Sequence, residues 1–122
     1  MKKDKEAMNL VPLELFAGTT PDGTDSFETV YARQIDDGLF EIDHSPGTIL
    51  NLAAGDVIRL ENDNGRFEVA ERGGNFSVQC YFDESVEGIS SELTPEIEEI
   101  GGWLDGSRET ADDLVNGLVY TI

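Results

Sequence analysis

The residue types of a hydrolytic triad stand side by side at Asp43-His44-Ser45. A carboxylate, an imidazole and a hydroxyl activate a nucleophile only when their side chains converge. Neighbouring residues of a strand point to opposite faces, so these three are not expected to act together. His44 is predicted to be a partly buried ring near a strand end. No other nucleophile–base pair stands out, so the sequence predicts no catalytic residue and no enzyme.

The single cysteine, Cys80, lies on one alternating face with Phe76, Val78 and Phe82. A reactive thiolate needs exposure and positive neighbours, so Cys80 is predicted to be a small core residue. One cysteine and one histidine exclude the usual zinc ligand sets. The acidic turns do not match the twelve-residue calcium loop. The sequence therefore predicts no metal and no cofactor.

The charge is unbalanced, because 26 acidic residues stand against 8 basic ones and give a formal charge of −18 over 122 residues. From residue 83 onward there are 11 acids and one base, Arg108, a net charge of −10. Such a charge disfavours direct binding to nucleic acid and accelerates association with a basic protein. We therefore expect a basic protein partner and no direct nucleic-acid contact.

The predicted partner-binding surface consists of the acids of this last third together with one tryptophan. Its residues are Asp83, Glu84, Glu87, Glu92, Glu96, Glu98, Glu99, Trp103, Asp105, Glu109, Asp112 and Asp113. Glu92, Glu96 and Glu99 have the spacing of one helical face. Two interpretations stay open, a solvated helix face and a docking surface. Trp103 is correspondingly either a core residue or an interface anchor.

Alternating apolar residues predict antiparallel strands up to Phe82, with hairpin turns at Asp36-Asp37-Gly38 and Asn62-Asp63-Asn64-Gly65. A helix is predicted to begin with Thr94 as its cap and Pro95 at its first position. Its apolar stripe would be Leu93, Ile97, Ile100 and Leu104, with Gly101 and Gly102 shortening or bending it. Thr110 is predicted to cap a last turn through Val115, closed by Asn116-Gly117. Residues 118–122 are predicted to form a final strand.

This order of elements predicts an α+β fold. We expect a curled antiparallel sheet or a small partly open β-barrel, followed by a helix and a closing C-terminal strand. The length predicts a single domain over residues 1–122, with residues 1–9 as a flexible arm. No stretch approaches the roughly 20 apolar residues of a membrane span, so a cytoplasmic protein without membrane contact is expected.

Four segments resemble a small bacterial domain family of uncharacterised function. They are Glu28-Thr-Val-Tyr-Ala32, Asp37-Gly-Leu-Phe-Glu-Ile42, Leu52-Ala-Ala-Gly-Asp-Val57 and Val69-Ala-Glu-Arg-Gly-Gly-Asn-Phe-Ser-Val78. The resemblance covers residues 28–82 and implies a fold rather than an activity, since these are turn and strand motifs. The genomic neighbours of some members of the family suggest immunity to polymorphic toxins.

Three functions follow from these observations. The first is an immunity protein that binds and neutralises a basic, nuclease-like bacterial toxin through the acidic surface. The second is a nucleic-acid mimic that inhibits a DNA- or RNA-binding enzyme. The third is a small ligand-binding barrel, which would require a pocket with converging polar side chains.

Overall fold

The structure, a computed structural model, describes residues 10–61, 64–82, 86–108 and 116–122, and these contain eight strands and one helix. The elements are β1 (Leu10–Thr19), β2 (Asp25–Asp36), β3 (Leu39–Ile42), β4 (Val57–Leu60), β5 (Phe67–Glu71), β6 (Ser77–Phe82), α1 (Val86–Glu99), β7 (Trp103–Arg108) and β8 (Asn116–Thr121). The strands divide between two sheets. The predicted flexible arm, residues 1–9, lies outside the described residues.

The first sheet has five strands in the order β1-β2-β3-β4-β5, and every neighbouring pair is antiparallel. Short turns join β1 to β2, β2 to β3 and β4 to β5, whereas the longer connection of residues 43–56 joins β3 to β4. At the predicted turn between β2 and β3, Gly38 adopts a φ of 72°, which glycine reaches at little cost. Alternate residues point inward, and Leu15, Val30 and Ile42 are fully buried in its core.

This sheet curls until its far end meets its first strand. The N–H of Phe16 in β1 donates to the carbonyl of Gly65, in the turn before β5, at 2.9 Å. A side chain at residue 65 would place its Cβ 2.6 Å from the carbonyl oxygen of Glu14, so only glycine allows this approach. The guanidinium of Arg66 lies over the Phe16 ring, 3.9 Å from its centroid. The prediction of a curled, partly open sheet is confirmed.

The second sheet has the order β6-β8-β7, so the last strand of the described chain lies in the middle. Leu118 and Tyr120 of β8 are fully buried. Ile89, Leu93 and Ile97 cover them from α1, at the spacing of one helical face. The predicted α+β class, with a helix and a closing C-terminal strand, is confirmed. The strand begins at Asn116, a residue that was expected to close a turn.

The predicted start of the helix is wrong, because α1 begins at Val86 and contains Thr94 and Pro95. The Thr94 hydroxyl does not cap the helix but lies 2.8 Å from the hydroxyl of Tyr120. Burial of Ile89 against the second sheet favours the earlier start. Tertiary packing of this kind offsets the backbone hydrogen bond that a proline removes from a helix.

Gly101 and Gly102 were expected to shorten or bend the helix, and they shorten it, because α1 stops at Glu99. The prediction that Leu104 lies on the helical stripe is wrong, because Leu104 belongs to β7. The N–H groups of Gly101 and Gly102 donate to the carbonyls of Glu98 and Ile97, at 3.1 and 3.0 Å. With Gly101 at a φ of 90°, this is the glycine-dependent Schellman ending. The two glycines therefore terminate the helix. The predicted turn over residues 110–115 lies outside the described residues.

Candidate partner-binding surface

Four acids of α1 are exposed. Glu92, Glu96 and Glu99 are all exposed, and their spacing places them on one side of the helix. Leu93 and Ile97, on the neighbouring side of the helix, pack partly buried against the second sheet, and the acids face water beside them. Glu98 is exposed as well. We call Glu92, Glu96, Glu98 and Glu99 the acidic row.

No cation neutralises the acidic row among the side chains that the structure describes. The ion pairs of arginine join Arg33 to Glu41, Arg59 to Glu68 and Arg72 to Asp56. All of these residues belong to the first sheet or its connections, and none of these pairs involves an acid of α1. Like charges at this spacing destabilise a helix by a few tenths of a kcal/mol per pair.

An apolar groove runs beside the acidic row, between α1 and the outer side of β6. Its floor consists of Cys80, Phe82, Ile89 and Leu93, and Glu92 and Glu96 stand at its rim together with Tyr81. The groove is open to solvent and has a volume of about 450 Å³. Burial raises the pKa of the Cys80 thiol above its ordinary value of 9.0, so the thiol stays protonated at neutral pH. An apolar floor with a carboxylate rim favours a ligand that is both apolar and cationic.

Trp103 does not lie on this surface. It pairs with Thr121 across the β7–β8 ladder. Directly opposite residues of a ladder share a face, and Thr121 points towards the first sheet, where its hydroxyl meets Ser45. Trp103 is therefore on the sheet face away from α1, and 41% of it is exposed. The structure does not bring it together with the acidic row.

Asp105 is placed differently from the acids of α1, since it is half-buried and hydrogen-bonded within the protein. Its Oδ2 accepts from the backbone N–H of Ser45 and from the hydroxyl of Thr121, both at 2.7 Å. The Ser45 hydroxyl lies 2.6 Å from the Thr121 hydroxyl and accepts from the N–H of Ala54 at 3.0 Å. This chain of hydrogen bonds ties the connection between β3 and β4 to the second sheet.

The other predicted acids are described only in part. Glu87 lies in the first turn of α1. Asp83, Glu84, Glu109, Asp112 and Asp113 lie outside the described residues. Among the residues that are described, no three His, Cys, Asp or Glu side chains are grouped to hold a metal ion. In the same part of the chain, no helix is long and apolar enough to cross a membrane.

A crevice of about 500 Å³ lies between the two sheets, lined by Glu28, His44, Tyr81 and Asp105 among others. Its Glu28, Tyr81 and Asp105 side chains are hydrogen-bonded within the protein. The Glu28 carboxylate accepts from the N–H groups of Gly47 and Thr48, at 2.7 and 2.8 Å, and the Tyr81 hydroxyl donates to the carbonyl of Gly47. Burial and the negative charge of Glu28 raise the pKa of Tyr81. The crevice is thus a polar joint between sheets rather than a set of groups awaiting a ligand.

His44 lies at the rim of this crevice as a half-buried ring, as predicted. Its ring centroid is 5.9 Å from that of Tyr31, and its Nδ1 is 3.9 Å from Asp43. Ser45 faces the opposite way, into the joint, where it is buried. The structure therefore does not assemble the triad-like residues into a catalytic group.

Sequence analysis did not identify Asp56, which like Asp105 is a carboxylate that anchors backbone segments to one another. Its side chain is 1% exposed. Its carboxylate accepts from the N–H groups of Ala53 and Gly73, at 3.0 and 2.8 Å, and from the Arg72 guanidinium at 3.1 Å. Two of the family-like motifs, residues 52–57 and 69–78, thus meet at one carboxylate. The turn residues in both motifs were the signal in the sequence from which this contact could have been inferred.

A curled five-stranded sheet and a three-stranded sheet, joined by a polar connection and carrying one acidic helix, define a small acidic α+β domain. The chain belongs to the family described as Domain of unknown function (DUF4265), whose model matches residues 28–115. The match continues beyond residue 82 and includes α1 and β7. It supports the sequence-based resemblance to an uncharacterised family.

One solved structure has a similar fold. It is described as a novel crystal structure of a hypothetical protein from Neisseria gonorrhoeae, and it aligns with a TM-score of 0.63. The alignment covers 93% of this chain and 75% of that chain, at 21% sequence identity. This likeness establishes the fold and carries no information about activity. Comparison with curated proteins gave no match.

Proposed function

We propose that the protein is an immunity protein, which binds and neutralises a cognate bacterial toxin domain through the surface formed by α1. The single observation that carries the proposal is the exposed acidic row without a cation partner among the described side chains. Keeping such a row costs stability, so a binding role accounts for it better than a role in folding. The mode of action is binding, not catalysis, and its place is the cytoplasm.

The chemistry of the row indicates the class of toxin. Nucleases carry basic grooves for the phosphate backbone, and a set of fixed carboxylates is attracted to such a groove. Steering of this kind raises association rates by 10- to 1,000-fold and weakens as salt is added. The polar crevice does not favour the ligand-binding alternative, because its Glu28 and Asp105 carboxylates already accept hydrogen bonds within the protein.

The experiment begins with the gene adjacent to this one, which should encode a secreted protein with a toxin-like C-terminal domain. The purified domain is tested for association with this protein at about 50 mM and about 300 mM salt. Protection of cells that express the toxin domain is measured in parallel. We expect binding at low salt, weaker binding at high salt, and protection. Absence of both binding and protection would contradict the proposal.

A pair of matched variants tests where the charge acts. The first replaces Glu92, Glu96 and Glu99 by lysine, and the second replaces three exposed acids of the first sheet and its connections, Asp37, Glu61 and Glu71. Both change the net charge by the same amount. The first should lower the association rate constant by roughly tenfold or more, and the second should have a much smaller effect. Equal effects would mean that total charge, and not this surface, governs binding.

Competition provides a further readout. If duplex DNA displaces this protein from its partner while the protein gives no protection against the toxin domain, the nucleic-acid mimic is the better description. Displacement by DNA together with protection is expected for an inhibitor that occupies a nuclease groove.

A further inference from the structure

The outer edge of β6 is unpaired in the part of the chain that the structure describes. β6 pairs with β8 on one side, and no described strand lies on the other. Phe76 exchanges both backbone hydrogen bonds with Ile122, at 2.7 and 2.9 Å. Since hydrogen-bonded pairs alternate along an antiparallel ladder, Ser77, Gln79 and Tyr81 direct their N–H and C=O groups outward. These groups form the edge to which a further strand can bind.

β6 lacks the features that protect the other described sheet edges. An edge strand is usually blocked by proline, charged side chains or a bulge. Pro12 and Glu14 occupy β1, Glu68 and Glu71 occupy β5, and the β7 ladder is interrupted by a bulge at Asp105. β6, in contrast, has no charged residue and no proline, and its six pairs with β8 run without a register shift. It is the edge best suited to accept another strand.

Among the described elements, α1 packs beside Cys80 and Phe82 but leaves the beginning of β6 uncovered. α1 packs mainly on β7 and β8. On the α1 face, Val78 is partly exposed and Phe76, just before the strand, is 74% exposed. Beside them lies the groove over Cys80 and Phe82, with Glu92 at its rim. Apolar side chains without cover, next to an unpaired edge, mark a docking surface.

We propose that the outer edge of β6 binds an extended basic segment of the toxin domain by strand addition. The proposal rests on the proposed function for the identity of the partner. In an added strand, every second side chain faces α1 and enters the groove. Lysine and arginine suit this position, because their aliphatic stems cover the apolar floor while their charged ends reach Glu92 and Glu96. A second copy of this chain fits poorly, since it carries the same negative charge.

Ser77→Pro is the sharpest test of the proposal. The proline removes an outward N–H without taking a hydrogen bond from the β6–β8 ladder, and the first residue of a strand tolerates proline. Ser77→Ala is the matched control, because it keeps the N–H and loses only the hydroxyl. We expect Ser77→Pro to weaken binding of the toxin domain by about tenfold or more and Ser77→Ala by less than about threefold. Urea unfolding of both variants checks that they fold.

Charge provides a second pair of variants at one position. Val78→Lys places a cation on the α1 face of β6 and should weaken binding of a basic strand, whereas Val78→Glu should preserve or strengthen it. Hydrogen exchange gives the direct readout. The amides of Ser77, Gln79 and Tyr81 should become protected in the complex, and those of the β1 edge should not change.

A synthetic peptide of alternating lysine and valine, compared with one of alternating glutamate and valine, separates this proposal from the proposed function. If the toxin domain binds, but Ser77→Pro does not weaken its binding and the three amides gain no protection from exchange, strand addition is wrong and the proposed function stands. If the toxin domain does not bind but the lysine peptide does and protects those amides, the edge is correct and the toxin assignment is wrong. A dimer abolished by Ser77→Pro would assign the edge to a second copy and overturn the proposal.

Discussion

Replacing Asp56 by alanine should destabilise the fold by about 3 kcal/mol. The carboxylate is buried and accepts three hydrogen bonds. The N–H of Ala53 is buried and would lose its only acceptor, which costs roughly 2 kcal/mol for a bond to a charged group. The N–H of Gly73 belongs to an exposed residue, where water replaces the acceptor at about 0.5–1 kcal/mol. The Arg72 side chain is 60% exposed, so its ion pair adds no more than about 0.5 kcal/mol.

Urea unfolding followed by circular dichroism measures this effect. With a slope of about 2 kcal/mol per M, the midpoint of Asp56→Ala should fall by about 1.5 M. Arg72→Ala is the control and should lose less than about 1 kcal/mol, because it leaves the backbone bonds to the carboxylate intact. A loss below about 1 kcal/mol for Asp56→Ala, or equal losses for the two variants, would refute this account of the anchor.

Three further predictions concern single positions. Gly73→Ala should prevent folding or lower the urea midpoint severely, because its Cβ would lie 2.4 Å from the backbone carbonyl of Gly55; a near-normal midpoint would contradict the close approach. Gly88→Ala should raise the free energy of unfolding by about 0.5–1 kcal/mol, because the site is exposed, helical and open; a loss would mean that the first turns of α1 are not helical in solution. Burial raises the pKa of Cys80 and Tyr81, so the folded state holds protons that the unfolded chain has lost above about pH 9. The contribution of these two groups to stability is complete below that pH and is lost as the pH rises further. Urea midpoints measured from pH 7 to 10 should therefore fall more steeply for the wild type than for Cys80→Ala.

The local part of the fold could be predicted because it depends on local chemistry. The turn at Asp37-Gly38 and the strand at β6 are properties of a few adjacent residues, and both are found as expected, although Val78 of β6 is exposed rather than inward. The helical spacing of Glu92, Glu96 and Glu99 likewise placed them correctly on one exposed side. These predictions needed no knowledge of distant partners.

The non-local part could not be predicted in the same way. Thr94-Pro95 has the chemistry of a helix start, and only the burial of Ile89 against β8 shows that the helix begins earlier. Asp105 resembles the acids of α1 in sequence, but its position opposite Ser45 makes it a structural acceptor. The division into two sheets depends on the pairing of β8 with β6, which are separated in the sequence by α1 and β7. No local pattern encodes this contact.

The central position of β8 sets an order of events during synthesis. Neighbours in the first sheet are consecutive in the chain, so that sheet can assemble as its residues leave the ribosome. β6, α1 and β7 emerge before the strand that joins them, and their apolar sides stay open to water until residues 116–121 follow. A nascent chain therefore passes through a half-folded stage, in which aggregation competes with completion. Slow translation over residues 77–115 would lengthen that stage, and a chaperone that shields β6 would reduce aggregation during it.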